Sequence, residues 1–143
     1  MKILVINGPN MNLLGTREPD LYGREDYNEL CRRCLAAGEN SGAEIELFQS
    51  NHEGAIIDKI QDAMGNADGI VINAAGYSHT SVAILDALKA AGLPTVEVHV
   101  TDPKKREEFR HTDYVELYAE KTIAGKGLAG YEEAISYLMK KLS

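Results

Sequence analysis

The 143-residue sequence predicts an α/β fold: a flavodoxin-like three-layer sandwich with a five-stranded parallel sheet. Three observations carry this. Short apolar runs rich in β-branched residues recur along the chain, segments with helical spacing fall between them, and the order strand then helix repeats five times. A parallel return needs a crossover connection, so the alternation calls for a sheet wound on both faces by helices. The length suits one domain over residues 1–143.

Each element follows from its own signal. The expected strands are residues 3–6, 45–48, 69–72, 95–100 and 122–124; the expected helices are 27–40, 55–64, 81–91, a short 103–110, and 131–142. Asp26 with Glu29 three residues on resembles a capping box at the first helix, and Gly42, Gly65 and Gly92 follow three of the helices. Asp102 and Pro103 read as an N-cap and a first helical residue. One long nonperiodic stretch remains, 8–24, and its length points to a functional lid or to disorder.

Composition narrows the function. No stretch approaches the roughly 20 apolar residues needed to span a bilayer. The amino terminus enters an apolar strand at once, without the features of a signal peptide, which gives a cytoplasmic expectation. The net charge of −7 disfavours nonspecific nucleic-acid binding but leaves room for a small anion at a local basic cluster. Cys31 and Cys34 form a C-x-x-C in mid-helix, away from the strand-to-helix turn that lowers a thiol pKa, so the pair reads as structural. The four histidines lack H-E-x-x-H spacing and no second cysteine pair exists, so neither metal nor cofactor is expected.

In open α/β sheets ligands bind outside the carboxyl ends of the strands. There the first strand delivers Asn7, Asn10 and Asn12, then Arg17 and Tyr22; the second delivers Gln49, Asn51 and His52. The third ends in Asn73 and leads to His79, and the fourth carries Glu97 and His99 before Val100, Thr101 and Asp102, with Arg106 and Arg110 following. Singly, each Asn, Ser or Thr at such a place serves as a cap or turn residue. His99 differs, because alternation puts it on one face with Glu97, opposite Val96, Val98 and Val100. A carboxylate beside an imidazole orients it and raises its pKa, which suits a general acid; a satisfied core histidine is the other reading.

Arg17 and Tyr22 also carry two readings, a solvated Arg beside a Tyr-Gly turn or an Arg that holds Tyr22 as a phenolate. Tyrosine titrates near ~10, and a cation at about 4 Å in an effective dielectric near 20 contributes roughly 4 kcal/mol. That is about three pKa units, enough to make Tyr22 a base near neutral pH. Gly125-Lys126-Gly127-Leu128-Ala129-Gly130 matches GxGxxG, but no room follows for the strand and acidic ribose ligand of a dinucleotide fold. Ser78 lacks the G-x-S-x-G context of a nucleophile, which leaves His79 as a substrate ligand or helix-start donor.

Asn7 through Gly15, Arg17-Glu18-Pro19, Tyr22-Gly23, Gln49 through Gly54, Asn73 through Val82, Glu97-Val98-His99 and Arg106 through Arg110 together resemble type II 3-dehydroquinate dehydratase, in order and over nearly the whole chain. The resemblance implies a flavodoxin-like lyase of the shikimate pathway, a step in aromatic amino-acid biosynthesis, dehydrating 3-dehydroquinate without a Schiff-base lysine. It implies Tyr22 as base, Arg17 favouring its phenolate, His99 as acid, Glu97 orienting His99, and Asn10 holding a water beside the enolate oxygen. It assigns substrate binding to Asn73, His79, Asp86, Val100, Thr101 and Arg110, and assembly to a homo-oligomer, a trimer or dodecamer.

Two departures from the family pattern stand out. Asp102 occupies a place where asparagine is expected, and a carboxylate there is expected to repel the substrate carboxylate. The segment 116–121 lacks the small residues and glycine expected before the last strand, which bears on assembly. A diverged relative acting on another cyclic hydroxy acid is therefore an alternative. An FMN-binding flavodoxin-like module is another, although the 8–10 loop lacks the Ser/Thr-rich phosphate cradle it would need.

Overall fold

The computed structural model describes residues 1–16, 20 and 25–143. Five parallel strands form one sheet: β1 (Lys2–Asn7), β2 (Glu44–Gln49), β3 (Gly69–Asn73), β4 (Thr95–His99) and β5 (Lys121–Ala124), in the order β2-β1-β3-β4-β5. Among the described residues four helices flank it: α1 (Tyr27–Ser41), α2 (Glu53–Asp62), α3 (Val82–Ala91) and α4 (Ala129–Leu142).

Side-chain alternation along the strands feeds two cores. Ile3, Val5, Val71, Val96 and Val98 meet Leu30 and Cys34 of α1 and Tyr131, Ile135 and Leu138 of α4 on one face. Leu4, Ile6, Ile70 and Ile72 meet Ile56 and Ile60 of α2 and Ile84 and Leu88 of α3 on the other. Period two in the strands and period 3.6 in the helices thus assemble three layers from one chain. Cys34 lies wholly inside the first core, and burial pushes its thiol up to about 12, the behaviour of a structural cysteine.

The helix ends follow their expected chemistry. The Asp26 carboxylate accepts from Glu29 N at 2.9 Å, and Gly42 and Gly92 close α1 and α3 at φ 81° and 68°. Ser81 caps α3, accepting from Ile84 N at 2.9 Å while its hydroxyl donates to Glu53 of α2 at 2.5 Å. Strand and long-helix bounds lie within two residues of the sequence expectation, as at β4, which ends at His99, one residue short of the expected Val100.

Residues 103–110 do not form the expected helix. They make two single 3-10 turns, Pro103–Lys105 and Glu108–Arg110, separated by extended backbone at Arg106. The segment is a run of charges with no apolar stripe to bury, and Phe109, its one large apolar residue, is exposed. The structure adds three further 3-10 turns that the sequence reading did not anticipate, Met11–Leu13, Ala75–His79 and Val115–Leu117.

Candidate active site

The strand order reverses between β1 and β3, and the carboxyl ends at that switch point, with β4 beside them, open into a cavity of about 230 Å³. The cavity brings together seven of the expected residues, Asn10, Asn73, His79, His99, Val100, Thr101 and Arg110, and adds Arg106. Glu97 stands behind His99, fully buried. Asp86 is exposed on α3 and is not among the lining residues. Arg17 and Tyr22, with part of the expected 8–24 lid, lie outside the described residues.

The two loops that close the switch point touch backbone to backbone. Gly8 N donates to Asn73 O at 2.8 Å, and a Cβ on Gly8 would fall 2.4 Å from Ala74 O, so glycine is required by the approach itself. Asn10 sits at φ 70°, a conformation asparagine tolerates, and its N–H donates to Asn51 Oδ1 at 2.9 Å. Gln49 Nε2 donates to Gly8 O and to Asn51 Oδ1, both at 3.1 Å. The end of β2 thereby holds the loop that presents Asn10.

Beneath the cavity, buried amides of Asn7 and Asn73 share one phenol. The Tyr131 hydroxyl donates to Asn7 Oδ1 at 2.5 Å and accepts from Asn73 Nδ2 at 3.0 Å. Asn73 Oδ1 also accepts from Ala75 N at 3.0 Å, which turns the chain into the 3-10 segment carrying His79. Gly125 and Gly127, both at positive φ, donate to the carbonyls of His99 and Val100 at 3.3 and 3.1 Å. The GxGxxG run is thus a clamp on the end of β4.

His99 is the chemical centre. Its Nε2 donates to Glu97 Oε2 at 2.8 Å and faces Asp113 Oδ2 at 3.3 Å, while Glu97 Oε1 accepts from Thr122 Oγ1 at 3.0 Å. Burial alone would lower the imidazole pKa, but the hydrogen bonds and charges of Asp113 and Glu97 outweigh it and hold His99 at about 9. Burial, with Asp113 close by, raises the Glu97 carboxyl against the opposing pull of His99. His79 stacks on His99 at 6.4 Å between ring centroids and donates from Nδ1 to Thr112 O at 2.7 Å.

Arg110 pairs with Glu107 at 3.0 Å and, with Arg106, gives the cavity a cationic wall. Such a wall, two imidazoles and the strand-end backbone at Val100 and Thr101 fit a small anion. A full helix over 103–110 would have added the favourable field of its N-terminus, but the first turn has only three residues. Asp102 keeps the N-cap expected of it, its carboxylate accepting from Lys104 N at 3.1 Å, and it lines an adjoining cavity of about 410 Å³ that shares His99, Pro103 and Arg110 with the first. Glu97, His99 and Asp113 place their donor atoms within 4.8 Å of one another, close enough to ligate a cation, at distances that are also those of hydrogen bonds.

Sequence reasoning left Asp113 and Arg106 out of the site. Arg106 was in view on the rim and carried the same signal as Arg110. Asp113 had none, since it follows no strand and shares no periodicity with His99.

Fold and site together define a doubly wound α/β protein with an acid–base pocket for a small anion at the switch point of its sheet. The chain matches the family model described as dehydroquinase class II over residues 1–139. It is 51% identical over 137 residues to the 3-dehydroquinate dehydratase of Corynebacterium glutamicum strain R, covering 96% of this chain and 94% of that one. The crystal structure of type II dehydroquinase from Butyrivibrio crossotus DSM 2876 is similar at a TM-score of 0.95 and 50% identity, covering 96% of this chain and 97% of that one. That from Propionibacterium acnes is similar at 0.93 and 41%, covering 97% and 96%. The protein belongs to the class II dehydroquinase family.

Proposed function

We propose that this protein is a type II 3-dehydroquinate dehydratase, converting 3-dehydroquinate to 3-dehydroshikimate by trans elimination of water through an enolate. The observation that carries the reading is His99, backed by Glu97 at 2.8 Å and set in the wall of a cavity that Arg106 and Arg110 make attractive to an anion. Tyr22, favoured as phenolate by Arg17, removes the C2 proton beside the ketone. His99 then protonates the departing C1 hydroxyl, while Asn10 holds a water beside the enolate oxygen.

Dividing proton loss from hydroxide loss lets each step use a group suited to it. His99, held protonated by its carboxylates, delivers a proton at neutral pH; Tyr22 accepts one. Asn73, His79, Val100, Thr101 and Arg110 bind substrate, and the loop about 8–24 closes over it. Asp86, exposed on α3, is assigned to substrate binding as well, and the assembly is a homo-oligomer, a trimer or dodecamer. The protein acts as one cytoplasmic catalytic domain and needs no cofactor for these steps.

The product is a conjugated enone, so mixing protein with 3-dehydroquinate and following ultraviolet absorbance tests the reaction directly. Wild type is expected to give a rise, and Tyr22→Phe and His99→Ala to give none while keeping the native circular dichroism spectrum. No rise with folded wild type would remove the reading; full activity in either variant would remove its assignment of base or acid.

A further inference from the structure

Asp113 stands in a segment without regular structure, yet its placement is fixed on both sides. Tyr114 N donates to Ser78 O at 2.8 Å, and Thr112 O accepts from His79 Nδ1 at 2.7 Å, so residues 112–114 are strapped to the 3-10 turn that carries His79. Val115, fully buried, packs into the core on the α2–α3 face, the face to which Glu97 and His99 point. The carboxylate itself is anchored, Oδ1 accepting from Glu116 N at 3.2 Å, which leaves Oδ2 for His99.

We propose that Asp113 is a second positioning residue for the acid step: with Glu97 it clamps His99 Nε2 between two buried carboxylates, keeps the ring protonated, and leaves Nδ1 to donate into the substrate cavity. Among the described residues Nδ1 has no hydrogen-bond partner, whereas Nε2 has two acceptors. One carboxylate would orient the ring. Two outweigh the burial that would otherwise discharge it. Around the clamp stand His79, Arg106 and Arg110 along the substrate cavity, and Asp102, Glu116 and Glu120 with Lys104, Lys121 and His111 in the larger cavity. The two carboxylates on Nε2 are the groups in hydrogen-bond contact, so they dominate.

The sign follows. Removing the Asp113 charge withdraws a stabiliser of the imidazolium, so His99 must lose its proton at lower pH, and an acid that must be protonated loses rate from the alkaline side. This rests on His99 being the general acid, and two readouts separate the claims. Proton and nitrogen resonances of the histidine rings, assigned with His99→Ala, give the titration of His99 without substrate; kcat/KM against pH gives the alkaline limb. In Asp113→Asn, which keeps an oxygen for Glu116 N, the His99 titration is expected to fall by roughly one unit or more, and the alkaline limb with it. At a pH above both limbs that is about a tenfold loss of rate. Asp113→Ser supplies the same reading if the Asn variant does not fold. An unmoved His99 titration in a folded variant would overturn the clamp. A lowered titration with an unmoved alkaline limb would uphold the clamp and overturn His99 as the acid.

Discussion

Asp102 shows how a single carboxylate can be placed by backbone rather than by ligand. Its side chain accepts from Lys104 N and closes the Pro103–Lys105 turn, and Gly125 packs against it, a built Cβ there lying 3.4 Å from Asp102 Cβ. It lines the larger cavity and is not among the residues that line the smaller one with Asn10 and Asn73. The turn thus has its own use for the carboxylate, beside any repulsion of a bound anion. Asparagine keeps the cap. Asp102→Asn is expected to leave KM for 3-dehydroquinate unchanged; a clear fall in KM in steady-state assays would show that the charge does reach the substrate.

A sequence declares only part of such a site. Glu97 and His99 were legible because strand alternation fixes which side chains share a face, and Asn10, Asn73 and His79 because a parallel sheet gathers its strand ends on one rim. Asp113 was illegible for a physical reason. It is held beside His99 by two hydrogen bonds, His79 to the Thr112 carbonyl and Tyr114 N to the Ser78 carbonyl, contacts 33 and 36 residues apart that no local pattern encodes.

Among the elements, strands and long helices were legible because each has an apolar face to bury. The 103–110 segment was misread because Asp-Pro marks a beginning, and a beginning does not guarantee a helix when the following residues have nothing to pack. The β1 to 3-10 connection depends on a different constraint, the backbone contact of Gly8 with residues 73 and 74. Gly8→Ala cannot be absorbed by rotating a side chain, since the obstacle is a carbonyl. Forcing such an approach costs about 1–3 kcal/mol. Urea unfolding of the variant is expected to show that loss, with turnover reduced because Asn10 moves; an unchanged midpoint would mean the loops can separate freely.

For the whole molecule, one phenol ties the last helix to the two strands at the switch point. Tyr131 is fully buried, and its hydroxyl is the shared partner of Asn7 and Asn73. Phenylalanine would fill the space but leave two buried amides short of a partner, at about 1–3 kcal/mol for such groups. Tyr131→Phe is expected to lower stability by that order in chemical denaturation and to weaken turnover through Asn73; full stability would mean that water replaces the hydroxyl. Beyond the site, Arg33 of α1 pairs with Glu132 of α4, and Glu120 pairs with Lys141 and accepts from Tyr137, so the charged 116–121 segment is bound to its own chain.

The Tyr131 to Asn7 bond spans 124 residues. During synthesis β1 leaves the ribosome early, while the phenol that its terminal amide needs is made near the end. Until α4 emerges, Asn7 Oδ1 and Asn73 Nδ2 lack the phenol that joins them, and the face of β1, β3 and β4 that α4 will cover holds Val5, Val71, Val96 and Val98 open. The switch-point pocket is therefore completed late, by an element that contributes no side chain to its lining. Nascent chains ending before Tyr131 should lack the pocket even with every strand present.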